Sequence, residues 1–304
     1  MLGQERSALT SELWGSPGQW TSRKTYLELS RKLGVDQETV RRRIDRLKEA
    51  GILQGWRLLP NPTLFGRHAA FVSVELGDQD SKDKTISRLA ELEGVVMITS
   101  LYGKGLIVSL YDDAEKTSSR RVLSLGRRAS ETPTGGITMP PMLPEFRMKS
   151  TDWRIAKVLL ANAEAESDTV AARAKVSART VRRRVEKMLE SRAVFFFPIV
   201  NPKKAQGVSF RLTIEAEPGS KAEVDRLVAS RLKNLAFRAT ASRTESTYGF
   251  NGANVSEGGE ALKWVNEVPG VSSARIEIVE GLVNVFGWLR KEIDEYVTGG
   301  PVTD

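Results

Sequence analysis

Two stretches of the chain carry the same alternation of apolar and polar residues at helical spacing. Residues 39–47 read TVRRRIDRL, and residues 180–188 read TVRRRVEKM. Their apolar positions are Val40, Ile44 and Leu47 in the first stretch and Val181, Val185 and Met188 in the second. Positions i, i+4 and i+7 lie on one side of an α-helix, so each stretch predicts a helix with one buried face and one strongly basic face.

The residues around each long helix predict its neighbours. Asp36 and Ser177 stand where an N-cap belongs. A shorter helical pattern and a tight turn, written LGV or AKV, come before each cap, and residues 4–14 and 152–162 each predict a further helix upstream. The apolar stretches ILQGWRLLP and AVFFFPIV follow the long helices and suit a β-wing. This order predicts a winged helix-turn-helix, written twice.

The similarity between the two copies extends past the wing. Residues 24–66 and 168–207 both end in Asn-Pro and a nearby glycine, and one inserted residue in the second copy aligns Gly66 with Gly207. Because the order of the elements and the register of the motifs agree together, the pattern indicates an internal duplication.

A second kind of unit follows each copy. After the first copy come the alternating segment AAFVSVEL, the helical segment DKTISRLAELE, and a hairpin formed by VVMITSLYG and GLIVSLYD. A helix near 114–128 and an extended segment near 136–148 complete a βαββαβ order. The same order follows the second copy, in the segments from VSFRLTIEA to SARIEIVEGLVNVFGWL. The predicted fold class is α+β, with two winged helix-turn-helix domains alternating with two ferredoxin-like domains. Their predicted bounds are 1–66, 67–148, 149–207 and 208–304.

The amino-acid composition excludes several kinds of chemical site. The 304 residues include no cysteine, which excludes disulfides and cysteine-ligated zinc, and His68, the one histidine, leaves little for metal binding or histidine acid–base catalysis. No run of eighteen apolar residues and no signal-peptide pattern occur, so we expect a soluble, cytoplasmic protein. The net charge of +8 suggests a polyanionic partner. We predict no cofactor, no metal site and no enzymatic activity.

The basic faces of the long helices predict contact with DNA. A helix-turn-helix places its second helix in the major groove, where N-terminal residues approach base edges. Arginine there bonds guanine through two hydrogen bonds, glutamine pairs with adenine, and other basic side chains hold phosphates. The predicted DNA-binding residues are Gln37, Glu38, Arg41, Arg42 and Arg46 in the first copy and Arg179, Thr180, Arg182, Arg183 and Lys187 in the second.

The alternative to DNA contact is an ordinary solvated charged face, and two features weigh against it. Arg179 lies in the first helical turn, where the helix dipole disfavours a cation by about 0.3–1 kcal/mol. Three consecutive arginines also repel one another, yet both copies have them. Arg43 and Arg184 lie nearer the buried face, where we expect their stems to pack. Trp56 and residues 195–197 are predicted to pack beneath the wings rather than to touch DNA.

Taken together, these motifs resemble the Lrp/AsnC family of prokaryotic transcription regulators. The resemblance rests on YLELSRKLGVDQETVRRRIDRLKEAGIL, on the following NPTLFG, and on the βαββαβ order of the sensor unit that this family calls a RAM domain. It also includes VPGV at 268–271 and covers almost the whole chain, taken twice. Family members usually have one such pair per chain and dimerise through the sensor sheets. The resemblance therefore implies two family protomers fused in tandem.

The resemblance also implies a place for a regulatory ligand. In the family this ligand, often an amino acid, binds near a sensor hairpin that carries a glycine and an acidic residue. The matching stretches here, 100–110 and 244–255, keep Gly103, Gly105 and Gly249 but lack the acidic residue expected where the following strand begins. Two interpretations stay open: the glycines line a small-molecule site, or they only permit turns. A small-molecule effector of unknown identity and a homo-oligomer through the sensor sheets also stay open.

Two other functions compete with that of a regulator. Siroheme decarboxylase subunits resemble this family and can occur as fused pairs, but that enzyme class is associated with histidines and a Pro-rich motif, and this chain has His68 alone. A non-specific architectural DNA protein differs from a regulator only in its specificity. We favour a sequence-specific regulator that binds double-stranded DNA as a single-chain pseudo-dimer. Because its long helices begin QETVRRR and ARTVRRR, we expect two non-identical half-sites.

Overall fold

The computed structural model describes residues 26–77, 81–125, 128–129, 134–135, 142–143, 145–240 and 242–299. The helix predicted at 4–14 lies outside the described residues. Within them, none of the helices combines the length and the apolar character that crossing a membrane requires.

The described residues begin with a helical unit that we call the first head. Its elements are α1 (Tyr26–Leu33), α2 (Gln37–Glu49) and β1 (Leu53–Pro60). Gly34, at φ +65°, makes the turn between the helices, in a left-handed conformation that glycine adopts without strain. Asp36 caps α2 by accepting a hydrogen bond from the Thr39 amide at 2.7 Å. The predicted apolar face of α2 is buried, which confirms the helical reading of its sequence.

The first sheet unit follows. Its elements are β2 (His68–Glu75), α3 (Lys82–Ala90), β3 (Val95–Leu101), β4 (Gly105–Asp112), α4 (Thr117–Leu123), β5 (Arg128–Ala129) and β6 (Thr134–Gly135). The helix predicted at 114–128 is thus shorter than expected. The strand predicted at 136–148 is wrong for the described residues of that range: the pairing segments are β5 and β6, which both pair with β2.

The second head contains a leading helix and then the same order of elements as the described part of the first head. Its elements are α5 (Ser150–Ala161), α6 (Ser167–Ala174), α7 (Ala178–Glu190) and β7 (Val194–Val200). Ser177 caps α7 by accepting a hydrogen bond from the Thr180 amide at 3.2 Å, as predicted. Lys175, at φ +54°, occupies the turn position that Gly34 holds in the first head. The helix predicted at 152–162 is confirmed as α5.

The second sheet unit completes the chain. Its elements are β8 (Val208–Ala216), α8 (Lys221–Arg231), β9 (Leu235–Thr240), β10 (Glu245–Gly252), α9 (Val255–Asn266), β11 (Val271–Asn284) and α10 (Gly287–Thr298). The βαββαβ order predicted here is present. The closing helix α10 differs from the prediction, in which the segment up to residue 289 belongs to the last strand.

The two sheet units join edge to edge within the chain. The strands lie in the order β5-β2-β4-β3-β11-β8-β10-β9, and β6 also pairs with β2. The long strand β11 makes the junction: its first part pairs with β8, as in Ile276 opposite Leu212, and its last part pairs with β3, as in Val283 opposite Ile98. The two sheet units therefore pair within one chain.

The two heads are also joined by a strand pair. β1 and β7 form an antiparallel two-stranded ribbon, with Leu58 opposite Phe196 and Arg57 opposite Phe197. Each predicted wing is thus a single strand whose partner comes from the other half of the molecule. Phe195, Phe196 and Phe197 are buried, as predicted.

Helix α10 closes the molecule over an aromatic cluster. Trp153 of α5 stacks on Tyr296 of α10 with ring centroids 4.5 Å apart, and Phe65 packs between Tyr296 and Trp288. Lys157 and Asp294 add an exposed ion pair at 2.7 Å. The second head is therefore attached to the sheet through α10 as well as through the ribbon.

An ion pair between a buried lysine and a half-buried glutamate links the junction strand β11 to the first sheet unit. Lys82 Nζ lies 2.9 Å from Glu280 Oε2 and also donates to the Gly103 carbonyl at 2.7 Å. The Ser100 hydroxyl donates to the same carboxylate at 2.8 Å. These contacts with Lys82 and Ser100 lower the pKa of Glu280 from its ordinary value near 4.5 to about 2.

Acid is expected to weaken this junction. Because the pKa of Glu280 is lower in the folded chain, its stabilising contribution is fully present above about pH 4.5 and is lost as the pH falls toward about 2. We expect Glu280→Gln to be less stable than the wild type at pH 7, and the difference to shrink as the pH falls through this window. Urea unfolding of both proteins between pH 2 and 7 measures it, and a difference that is independent of pH would contradict the assignment.

Candidate nucleic-acid interface

The outer faces of α2 and α7 expose most of the predicted DNA-binding residues. In α2, the exposed members are Gln37, Glu38, Arg41, Arg42 and Arg46. In α7, they are Arg179, Arg182, Arg183 and Lys187. Each helix places these exposed residues on the side opposite a buried apolar stripe, so the basic faces point away from the cores of the heads.

Thr180 differs from the other predicted residues of α7. It is half-buried, and its hydroxyl lies 2.9 Å from the Ser177 hydroxyl, so it is part of the capping contact at the start of the helix. Thr39 makes the corresponding capping contact in α2. Its hydroxyl donates to Asp36 at 2.7 Å and accepts from Arg42 at 3.3 Å. The hydrogen bonds that Asp36 accepts from Thr39 lower the pKa of Asp36.

The third arginine of each triplet faces inward. Arg184 is partly buried and donates from Nε and Nη2 to the carboxylate of Asp152, which is fully buried on α5. These hydrogen bonds raise the pKa of Arg184. Arg43 is half-buried at the equivalent position of α2. The expectation that these arginines pack rather than face outward agrees with their burial. The partner Asp152 was not anticipated.

The N-terminal turns of the two helices differ in charge. The first turn of α2 contains Glu38, whereas the first turn of α7 contains no acidic residue and exposes Arg179. A cation there opposes the helix dipole, and a nearby phosphate would relieve that cost. The two outer faces are therefore similar in shape but different in charge at the ends that would approach base edges.

The two heads also contact each other outside the ribbon. Besides the ribbon, Lys48 Nζ at the end of α2 lies 2.7 Å from Glu164 Oε1 in the loop after α5. An exposed ion pair of this kind stabilises little. The ion pair nevertheless shows that the C-terminal end of α2 lies against the second head.

The three predicted ligand-binding glycines do not form one site. Gly103 and Gly105 belong to the hairpin between β3 and β4, where Gly103 adopts φ +86°. Gly249 lies inside β10, opposite Arg211 and Phe237. The turn interpretation thus fits Gly103, and it is wrong for Gly249. Among the described residues, no group of three or more His, Cys, Asp or Glu side chains is placed to hold a metal ion.

Comparison with known proteins gives these helices a family context. A family described as winged helix-turn-helix DNA-binding matches residues 19–54, a range that includes α1 and α2. The regulatory protein AsnC of Escherichia coli is 33% identical over 82 residues, which cover 27% of this chain and 52% of AsnC. The transcriptional regulator Ptr1 of Methanocaldococcus jannaschii is 28% identical over 96 residues, covering 31% of this chain and 65% of Ptr1. The resemblance to Lrp/AsnC-type regulators is confirmed. The chain spans less than two thirds of the length of either relative.

A solved structure matches nearly the whole chain. The siroheme decarboxylase NirDL aligns with a TM-score of 0.55 and 12% sequence identity, covering 97% of this chain and 98% of that chain. At this identity the likeness establishes the fold alone. It supports the α+β class, which is confirmed.

Proposed function

We propose that this protein is a sequence-specific, DNA-binding transcription regulator of the Lrp/AsnC type that works as a single-chain pseudo-dimer. The observation that carries the proposal is the repeated exposed basic face: Arg41 and Arg42 on α2 are matched by Arg182 and Arg183 on α7. The match of residues 19–54 to a DNA-binding family supports the assignment of this face in the first head. Double-stranded DNA is the proposed partner.

The domain organisation follows from the same proposal. We assign the heads to residues 1–66 and 149–207 and the sensor-like units to 67–148 and 208–304. Each head contributes one recognition helix, and the ribbon and the continuous sheet hold the two helices in one body. The chain thus supplies both halves of what a two-fold symmetric dimer would supply from two subunits.

The two recognition helices are proposed to read unlike half-sites. A homodimer presents identical helices and therefore favours a palindrome. Here residues 37–38 are Gln and Glu, whereas residues 178–179 are Ala and Arg. Because these positions begin the helices, we expect the half-sites to differ most where these side chains approach the bases.

The direct test is selection of bound sequences from a random duplex library with the purified full-length protein. We expect one motif with two unlike halves at a fixed spacing. Salt-sensitive binding without enrichment of any motif would instead support a non-specific architectural protein, because phosphate contacts carry no sequence information.

Symmetrised operators test the divergence of the heads. From the selected motif, two palindromic duplexes are built, each with one half-site repeated. We expect both to bind more weakly than the natural order, since each mismatched base pair costs about 1–3 kcal/mol. Fluorescence anisotropy at fixed salt measures the three affinities, and equal affinities would show that the heads have not diverged.

The decarboxylase alternative has fold likeness as its support. NirDL is named for acting on siroheme, and this chain shares its fold. His68 is exposed at the start of β2, and the described residues include no second histidine. An iron tetrapyrrole added to the protein tests this alternative, since binding would change its visible absorption and saturate at one equivalent per site.

A further inference from the structure

A cavity lies between the ribbon and the sheet, at the point where heads and sensor-like units meet. Its volume is about 130 Å³. The ribbon contributes Arg57, Leu59 and Phe197, and the walls on the sheet include Phe71, Thr99 and Leu282. The cavity is therefore bounded by both halves of the chain. Gly249 also lines it, whereas Gly103 and Gly105 do not.

Arg57 brings an uncompensated charge into this cavity. It is 5% exposed, and its guanidinium donates from Nη1 to the Val96 carbonyl at 2.9 Å. Nη2 lies 3.8 Å from Met97 Sδ, and the guanidinium carbon lies 6.0 Å from the centroid of the Phe197 ring. Among the described residues, no carboxylate lies within ion-pair distance of Arg57. Burial lowers its pKa to about 10, so it is still a cation at neutral pH.

The opposite wall of the cavity contains a second buried arginine, and this one has a counter-charge. Arg211 is 6% exposed, yet its Nη1 lies 2.5 Å from Glu277 Oε2, and its Nη2 lies 3.5 Å from the Thr247 hydroxyl. Its charge is therefore balanced within the sheet. A buried cation without such a partner is costly, because it has left water and gained little in return. A guanidinium also has five N–H donors in a planar fork, more than the carbonyl and the thioether can use.

The shape of the cavity limits what can balance the charge. A carboxylate matches the guanidinium fork through two parallel hydrogen bonds. The remaining wall is largely apolar, with Leu59, Phe71 and Leu282 around the volume. Sites for drug-sized ligands measure about 300–1,000 Å³, so this one suits a much smaller molecule. A compact acid with a short apolar group fits both the charge and the size.

We propose that this cavity binds a small organic monocarboxylate, held by Arg57, and that the bound acid alters the affinity of the heads for DNA. The regulatory part rests on the proposed function. It follows from the position of Arg57 on β1, which is joined directly to α2 and pairs with β7 of the second head. A ligand that binds one arrangement of the ribbon better than another shifts the positions of both recognition helices.

Titration calorimetry on the full-length protein tests the site without DNA. The probes are sodium propionate, isobutyrate and benzoate at constant ionic strength, with propionamide as the neutral analogue. We expect saturable binding of at least one acid and no binding of the amide. Arg57→Met should weaken that binding about tenfold or more, because a charged hydrogen-bond donor is lost. Arg226→Met, an exposed arginine on α8, is the matched control and should leave it unchanged.

A second variant guards against misfolding of the first. Leu282→Phe enlarges a side chain of the wall while it keeps Arg57, and it should also weaken binding. The site is refuted if none of the acids saturates, if the amide binds as well as the acids, or if both cavity variants bind like the wild type.

Anisotropy with the selected operator then tests the regulatory part. A DNA affinity that the acid does not change, despite its binding, would remove regulation and leave the site. Failure to bind DNA at all would remove the proposed function, and the calorimetric result would stand.

Discussion

Replacing Arg184 by Met is expected to lower the free energy of unfolding of the second head by about 3–5 kcal/mol. The reason is the carboxylate that the variant leaves behind. Asp152 is fully buried, and Arg184 supplies its counter-charge through two nitrogen atoms. After the replacement, the Lys149 amide, which donates to Asp152 at 2.8 Å, is the remaining hydrogen-bond donor to this carboxylate among the described residues. A buried carboxylate held by one neutral donor is poorly compensated.

Two further variants separate this effect from simple loss of a side chain. Arg183→Met removes the exposed neighbour with the same chemistry and should change the unfolding free energy by no more than about 0.5 kcal/mol. Adding Asp152→Asn to Arg184→Met removes the buried charge and keeps an acceptor for Lys149, so most of the lost stability should return. Urea unfolding followed by circular dichroism measures all three. A loss for Arg184→Met no larger than that of Arg183→Met would refute the account.

The heads could largely be predicted from local sequence. The spacing of Val40, Ile44 and Leu47 is a short-range pattern, and burial of that face follows from it. The caps at Asp36 and Ser177 are local as well, since each side chain bonds an amide three residues away. These features depend on neighbours within one helical turn, which is why the sequence alone was sufficient for them.

The joining of the two halves depends on contacts that no local pattern specifies. An apolar strand such as β1 or β7 needs a partner, but its sequence does not say which strand that is. The strands β1 and β7 pair with each other across the molecule, whereas the sequence predicts a separate wing within each head. Strand β11 likewise extends far enough to pair with β3 of the other unit.

The last helix, α10, has a helical pattern in its local sequence. Trp288, Leu289 and Ile293 stand at helical spacing and are buried in α10. Trp288 and Leu289 also continue the apolar run of the preceding strand, and short apolar runs do not distinguish helix from strand.

The candidate site likewise has features that local sequence predicts and features that depend on the packed fold. The outward direction of Arg41, Arg42, Arg182 and Arg183 followed from helical geometry. Asp152 as partner of Arg184 could not be predicted, because the two residues meet only when α5 packs on α7. The isolation of Arg57 is likewise a property of the packed molecule, since it depends on which carboxylates do not reach the cavity.

Replacing Arg182 and Arg183 together by Ala is expected to give the largest loss of DNA binding. Each arginine that bonds a base edge contributes about 1–3 kcal/mol, so the selected operator should bind at least about 30-fold more weakly if both do. Preference should relax in one half-site and stay intact in the other, because α2 is unchanged. An arginine that holds phosphate instead reduces affinity for all sequences and lowers the log–log salt slope by about 0.9 per contact.

The chain offers a matched control for this pair. Arg120 and Arg121 are also adjacent and exposed, but they lie on α4 of the first sheet unit. Changing both to Ala alters the net charge by the same amount and should leave affinity within about twofold at 150 mM salt, where screening limits the reach of exposed charges to about 8 Å. Anisotropy titrations with the operator and with unrelated duplex compare the two double variants. Equal losses would mean that overall charge, rather than the face of α7, accounts for binding.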